Sequence, residues 1–523
     1  MPATMKGARV TALSVVLALT TALCLHSVEA QEPPVGTACL SPRVRMSWDA
    51  YTDAERQLYF CALAKAMDAG FHQKFVQLHK ETLSEAEAHR TCVFIYWHRM
   101  FLLGYENMLR SLGPEYSCIT LPYWDHLSAT ARMASGDCSS IEECAPIVGD
   151  FGGTSRGFVK DLTIYDVTIP TSAGSDSADV HSLCVNQGPL AHFCGNNTQC
   201  AHCVTRGRGA SRKVYPTEAY FGSVYRQVFS YDDSISFTNA VERGIHNTIH
   251  SKVGGVMAYF EAPIDPLFYA HHSIVDLLQT IYLKCQNGAE DVFLSAETKG
   301  SDPRFWGSCD RRTTGSFDSS DPVMMRVTGF DGSTVHVRES SDNLLHPFFK
   351  DLPATYGEYV DAKDLGVYSY TYEFSGGLSN MYQNCKAAVT LSAATLLAQE
   401  DRGSDAVLRP TVNGATALDD TTRRWAIALF ESARLIGYTE AGAKEQMEMI
   451  TCQHQEECIG ATDDYSDLFR SNFGVEGHTR CYTVIQGLLS EDRVIGIPEW
   501  RNITRRFFPC PLQQTTVGVT LLG

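Results

Sequence analysis

The sequence predicts a mainly α protein: a central four-helix bundle, long disulfide-pinned loops, a few short strands and a helical C-terminal region. Three observations predict it. Apolar residues recur at helical spacing over 47–70, from Tyr96 to Leu109, over 237–250 and over 272–284. Residues 128–215 are instead rich in Gly, Ser, Asp and Cys, the composition of long loops. Beyond Gly376-Gly377 the chain turns to Ala/Leu/Glu-rich helical stretches near 385–400 and 419–450.

Taken in order, Lys6 and Arg9 precede an apolar run from Val10 to Leu25, and Val28-Glu29-Ala30 offers small residues for cleavage before Gln31. That is the layout of a secretory signal peptide, and the run is shorter than the ~20 residues that span a membrane. In the 47–70 helix, Asp49 and Thr52 are cap candidates, Leu58, Cys61, Ala62 and Met67 carry the period, and Gly70 stops it. The second helix runs to the breaker pair Gly113-Pro114. In the loop region, Cys184, Cys194, Cys200 and Cys203 crowd into twenty residues. A disulfide-pinned loop suits a secreted chain better there than half a zinc site. The alternating Tyr368, Tyr370 and Tyr372 read as a strand. The chain thus divides into a signal peptide (1–30), a main domain (31–377) and a C-terminal helical region (378–523), without internal repeats.

Of 523 residues, 43 are Lys or Arg and 60 are Asp or Glu, a net charge of −17. This balance argues against nucleic acid or an anionic membrane as the main partner, since both need a basic footprint. Eighteen cysteines point to an oxidising, extracellular compartment. Cleavage of the leader removes Cys24 and leaves 17, so one thiol is free or pairs with another chain. It belongs to the C-terminal part unless a disulfide links the two parts. Asn196 and Asn502 head Asn-x-Thr sequons, candidate glycan sites in that compartment.

Seventeen histidines include two ordered blocks: His79, His89 and His98, then His246, His250 and the pair His271-His272. His246 and His250 are four apart on a predicted helix, so both rings project from one face. The HExxH pattern of zinc peptidases is absent. Six neutral imidazoles without thiolate favour copper, zinc, iron or nickel, and facing helices of a bundle are a known frame for a two-metal site.

The strings KFVQLH, HRTCVFIYWHRMFLLGYENML and LPYWD resemble the CuA region of tyrosinases, with eight residues between His89 and His98 as in that family. VERGIHNTIHSKVGGVMAYFEAPIDPLFYAHHSIVD is similar to its CuB region, and RVRMSWDAYTDAERQLYF to its opening helix. The resemblance covers about 40–375. It implies two copper ions in a dinuclear type-3 centre, held by His79, His89 and His98 and by His246, His250 and His272. Only nine residues separate His79 from His89, so His72 is the alternative first ligand. Asp276, four residues after His272, matches an acid expected to orient a ligand ring. Glu242 and Asn247 match the pair that holds a water and helps deprotonate a phenol, and Tyr259 or Phe260 is expected at the substrate mouth. Many members carry a thioether-forming Cys two residues before the second CuA ligand. Here that position is Glu87, which implies no thioether.

The resemblance implies a secreted enzyme that o-hydroxylates monophenols and oxidises o-diphenols to o-quinones with dioxygen. Its partners are phenolic or catecholic small molecules or tyrosine side chains. A pigment role such as melanin biosynthesis is one implied use. A catechol oxidase without monophenolase activity, a haemocyanin-like oxygen carrier and a copper-free relative remain open alternatives. By architectural analogy, residues 378–523 are a candidate shield over the active site.

Overall fold

The computed structural model describes residue 39 and residues 41–172, 182–194, 200–288, 294–385, 410–414, 416–508 and 510. The signal-peptide candidate, Asn196 and, apart from Cys385, the helix expected near 385–400 lie outside these residues. The chain enters through strand β1 (Arg43–Arg45) and helix α1 (Asp53–Asp68). Thr52 caps α1 in a reciprocal capping box with Glu55, and Gly70, at φ +77°, lets the chain turn directly into the next helix. Two short helices follow, α2 (Phe71–Lys80) and α3 (Thr82–Ala88), in a stretch not assigned to an element from the sequence. Then come α4 (Phe94–Arg110) and α5 (His126–Ala134).

The region read as long loops contains two small hairpins, Leu162–Ile164 with Val167–Ile169 and Ser182–Val185 with Val204–Gly207. It is pinned by Cys138–Cys144, Cys184–Cys203 and Cys194–Cys200, so the CxxC cysteines are disulfide partners rather than zinc ligands. Helix α6 (Phe221–Phe229) leads to the segment that carries the second histidine block. The single helix expected over 237–250 is in fact α7 (Ser234–Val241), a π turn (Glu242–His246) and α8 (Asn247–Val253). Gly244 permits that wide turn: a Cβ there would lie 2.3 Å from the Gln227 amide oxygen. Such π insertions concentrate at functional sites. Helix α9 (Leu267–Gln286) starts five residues earlier than its apolar pattern suggests.

Helices α2, α4, α8 and α9 form the central bundle. Rings interlock them: Phe75 against Phe101, and Tyr105 stacked 3.6 Å from Tyr269, each pair joining two helices. Strand β2 (Tyr370–Phe374) pairs in parallel with β1, register Arg43 to Tyr370 and Arg45 to Tyr372, which brings the tyrosine-rich strand to the opening segment. Helix α10 (Gly376–Asn384) follows, and Cys285–Cys385 ties its end to α9. A short strand β3 (Thr411–Val412) adds to β2. The 419–450 stretch is two helices, α11 (Ala417–Leu435) and α12 (Glu440–His454), divided at Gly437. Helices α13 (Asp467–Phe473), α14 (Arg480–Leu489) and α15 (Trp500–Arg505) complete the described chain.

Trp425, Leu429, Phe430, Met447 and Ile450 of the C-terminal helices are buried in the same apolar cluster as the bundle. Eight disulfides join described residues, and none of the described cysteines is a free thiol. A disulfide does cross from the main part to the segment beyond 375, through Cys385. Cys452–Cys481 and Cys458–Cys510 pair the other four cysteines there among themselves, so the C-terminal part holds no odd thiol.

Where α11 meets α5, Asp125 and Asp419 share the Ser128 hydroxyl, at 2.8 and 3.3 Å. Burial, then the Asp419 charge, push the Asp125 carboxyl well above its ordinary range. A carboxyl raised in the folded state binds its proton more tightly there than when unfolded. This pair therefore costs stability as pH rises from about 4 towards neutrality. Asp125→Asn keeps the cap to the Ser128 amide and removes the repulsion. It should raise stability at pH 8 by on the order of 2 kcal/mol relative to pH 5, measured by denaturation at both pH values.

Candidate metal centre

The bundle gathers both histidine blocks into one buried site. In the first, α2 carries His79, the end of α3 presents His89 and α4 carries His98; all three are buried. His79 Nδ1 donates to the Phe260 carbonyl at 2.7 Å and His98 Nδ1 to the Phe94 carbonyl at 2.8 Å. Those bonds leave each Nε2 as a bare lone pair, and the two Nε2 atoms face each other at 3.4 Å. The His89 ring lies 4.9 Å from His79 and 5.2 Å from His98, and its Nδ1 is buried without a partner.

The second block repeats the device. His246 Nδ1 donates to Asn247 Oδ1 at 2.9 Å, and His250 Nδ1 to the Met257 carbonyl at 2.7 Å. Both Nε2 atoms point to His272 Nε2, each at 3.3 Å. The two blocks touch through His98 and His272, whose rings stack 4.3 Å apart. Burial holds all these imidazoles neutral, with His79 lowered to about 3 and His250 to about 4. Nitrogen lone pairs aimed at one another in a buried site repel unless a cation lies between them, and neutral imidazole is the ligand form. The residues fit a pair of borderline metal ions.

His271 also lies within reach of His246 and His250. Its two nitrogens are engaged elsewhere, Nδ1 with His126 Nε2 at 3.0 Å and Nε2 with the His246 carbonyl at 3.3 Å. His72 is likewise spoken for, bonded to the Tyr105 hydroxyl at 2.7 Å and the Ile264 carbonyl at 3.0 Å. Both thus have each ring nitrogen hydrogen-bonded, whereas His79 Nε2 faces His98 Nε2 and His272 Nε2 faces those of His246 and His250.

Asp276 departs from expectation. It touches no ligand ring; His272 Nδ1 is buried without a partner. The carboxylate instead accepts from Arg99 Nε at 2.6 Å and from the Tyr370 and Tyr372 hydroxyls at 2.6 and 2.5 Å. Burial alone would raise it, but Arg99 and Arg45 hold it below the ordinary carboxylate range. Its role is to tie β2 to the bundle beneath the site. Glu87 accepts from the Tyr356 hydroxyl at 2.6 Å and pairs with Arg311, and Cys92 is bonded to Cys309. No described thiol is therefore available to cross-link His89, and its ring is held by Phe260, Phe94 and Phe473.

Glu242 and Asn247 line one cavity of about 200 Å³ with Arg90, Asn239, Arg243 and Gly474. Glu242 Oε1 accepts from the Arg90 amide at 2.7 Å, and burial pushes its carboxyl up to about 7. Phe268, one turn before His272, packs 4.0 Å from that ring and 5.0 Å from His79; its i, i+4 spacing is a signal the sequence carries. Phe473 has none. It reaches the site from α13, with its ring 5.6 Å from His89, 5.9 Å from His250 and 4.5 Å from Phe260.

A family profile described as "Common central domain of tyrosinase" matches residues 69–284. A tyrosinase of Streptomyces antibioticus is 30% identical over 252 residues, covering 45% of this chain and 81% of that protein. Among solved structures, a polyphenol oxidase from Thermothelomyces thermophila aligns over 69% of this chain and 95% of that chain, at 19% identity and TM-score 0.40. A deoxygenated hemocyanin from Rapana thomasiana aligns over 64% and 70%, at 17% identity and TM-score 0.38.

Proposed function

The chain belongs to the tyrosinase family, and on that premise we propose that it is a secreted monooxygenase and oxidase that o-hydroxylates monophenols and converts o-diphenols to o-quinones with dioxygen. The observation that carries the reading is the set of Nε2 lone pairs converging from rings whose Nδ1 atoms are committed to oxygen acceptors. His79, His89 and His98 would hold one copper and His246, His250 and His272 the other. The dinuclear copper used by this family supplies dioxygen binding and two-electron redox chemistry when bound.

The remaining work falls to the chain. Asn247 Oδ1 keeps the His246 proton on Nδ1. Glu242, already committed at Oε1, has Oε2 to take a phenolic proton, directly or through a water, and its elevated pKa suits a base working near neutrality. Phe260 and Phe268 supply apolar walls and exclude water.

The leader at 1–30 and the disulfides support secretion, and no helix among the described residues is long and apolar enough to cross a membrane. The organisation we propose is a signal peptide (1–30), a dicopper domain (31–377) and a C-terminal region (378–523) that shields the site through α13. Asn502, exposed on α15, is the described glycan candidate.

Metal analysis should return two coppers per chain, and the loaded protein should oxidise a catechol at once and a monophenol after a lag. Catechol turnover with no monophenol turnover overturns the hydroxylase part. Two coppers with reversible dioxygen binding and no turnover of either phenol would mark an oxygen carrier.

A further inference from the structure

Around Glu242 the protein gathers positive charge. Arg243, Arg90 and Arg312 all act on its carboxyl. Arg312 is paired with Glu85. Arg90 donates to the Gly474 carbonyl at 3.0 Å, and Arg243 makes no ion pair among the described residues. Both Arg90 and Arg243 are exposed and line the mouth of the Glu242–Asn247 cavity. The chain as a whole carries a net charge of −17, whereas in this cavity the two arginines match the two acids, Glu242 and Glu476.

The covering segment shows what the mouth can recognise. The Phe473 ring lies against His89, His250 and Phe260, and the very next residue hands a carbonyl oxygen to Arg90. A ring followed one residue later by an oxygen acceptor presents the two features of a phenol with an acidic side arm. Glu476, on the same segment, also lines the cavity beside Arg90 and Arg243.

We propose that Arg90 and Arg243 form a cationic rim that selects phenols carrying a carboxylate on a flexible side arm. The rim acts on binding: the arm's carboxylate takes the place of the Gly474 carbonyl on Arg90 and gains Arg243, while the ring takes the place of Phe473. The proposal rests on the tyrosinase reading of the site.

The test uses the full copper-loaded chain carrying Phe473→Ala, which vacates the ring position. It compares 3-(3,4-dihydroxyphenyl)propanoate with dopamine, and 4-methylcatechol serves as neutral reference. We expect kcat/KM for the acid to exceed that for the amine about tenfold, mostly through KM, and the ratio to shrink as salt is raised. Arg243→Gln with Arg90→Gln should bring the ratio towards 1, and Arg243→Lys should retain it. Calorimetric titration of the copper-free protein with 3-phenylpropanoate and phenethylamine should show the same preference and its loss in the Gln variants. An acid-to-amine ratio that is unmoved by the Gln substitutions overturns the proposal. If 4-methylcatechol itself is not oxidised, the tyrosinase reading fails instead, and the calorimetry still decides the rim.

Discussion

His272→Gln should release one of the two coppers and lower catechol oxidation by about 10³-fold or more, whereas His271→Gln should retain both. The two residues are adjacent, share one helix and are equally buried, so composition and burial do not separate them. Hydrogen bonding does. His271 spends Nδ1 on His126 and Nε2 on the His246 carbonyl. His272 Nε2 instead faces the Nε2 atoms of His246 and His250, each at 3.3 Å. Removing it leaves His246 and His250 with too few ligands for a stable site. Removing His271 breaks two hydrogen bonds in the core, an expected loss of about 1–3 kcal/mol in stability rather than of metal. Copper per chain and the denaturation midpoint of each variant check both halves. A His271 variant lacking one copper while His272→Gln keeps two would reverse the assignment.

Phe473→Ala in the full chain should raise catechol oxidation by about 10²-fold. The ring is buried against ligand rings that a substrate must approach, and Phe469 and Tyr465 of the same segment are buried beside it. Further anchors are the Lys252–Asp463 ion pair and the Ser466 amide, which donates to Ser251 Oγ at 2.8 Å. Deleting a buried phenyl group forfeits about 2–3 kcal/mol of closure, and that sets the expected shift of the closed–open balance.

Proteolysis should achieve the same, but only at certain places. Cys452–Cys481 and Cys458–Cys510 bracket α13, so a single cut beside it leaves both ends tethered. A cut within 376–384 falls in the largely buried α10. A cut between 386 and 409 lies beyond Cys385 and before all four remaining cysteines. There no described disulfide ties the downstream part to the bundle. No gain of activity from either treatment would remove the shield reading.

Much of the site was legible in the chain. Ligand spacing on helices follows from 3.6 residues per turn, so His246 and His250 had to share a face, and the long motifs around both blocks carried the family resemblance. The tyrosine-rich strand was legible from its alternation, except that Tyr368 falls in the 3-10 turn before it, and the disulfide-pinned loop from its cysteines. Other features escaped because they depend on partners remote in sequence. Asp276 looks like a ring-orienting acid until Arg99, Tyr370 and Tyr372 arrive from two other elements to claim both oxygens. The π turn at Glu242–His246 needs Gln227 packed against Gly244. Helix α2 follows α1 with only a left-handed Gly70 to mark the break.

The sequence by itself determined the mainly helical class, the two histidine blocks, the compartment its cysteines suit and the family. Those properties are local: they depend on spacing, composition and motif. Only the tertiary structure decided which histidine nitrogens are spoken for: His72 and His271 spend both on hydrogen bonds, while the Nε2 atoms of His79 and His272 face other imidazole Nε2 atoms. It alone placed Phe473 over the ligands and two arginines at the mouth. A hydrogen bond or a covering ring is a contact between residues up to hundreds of positions apart, and only the packed chain brings them within a few ångströms.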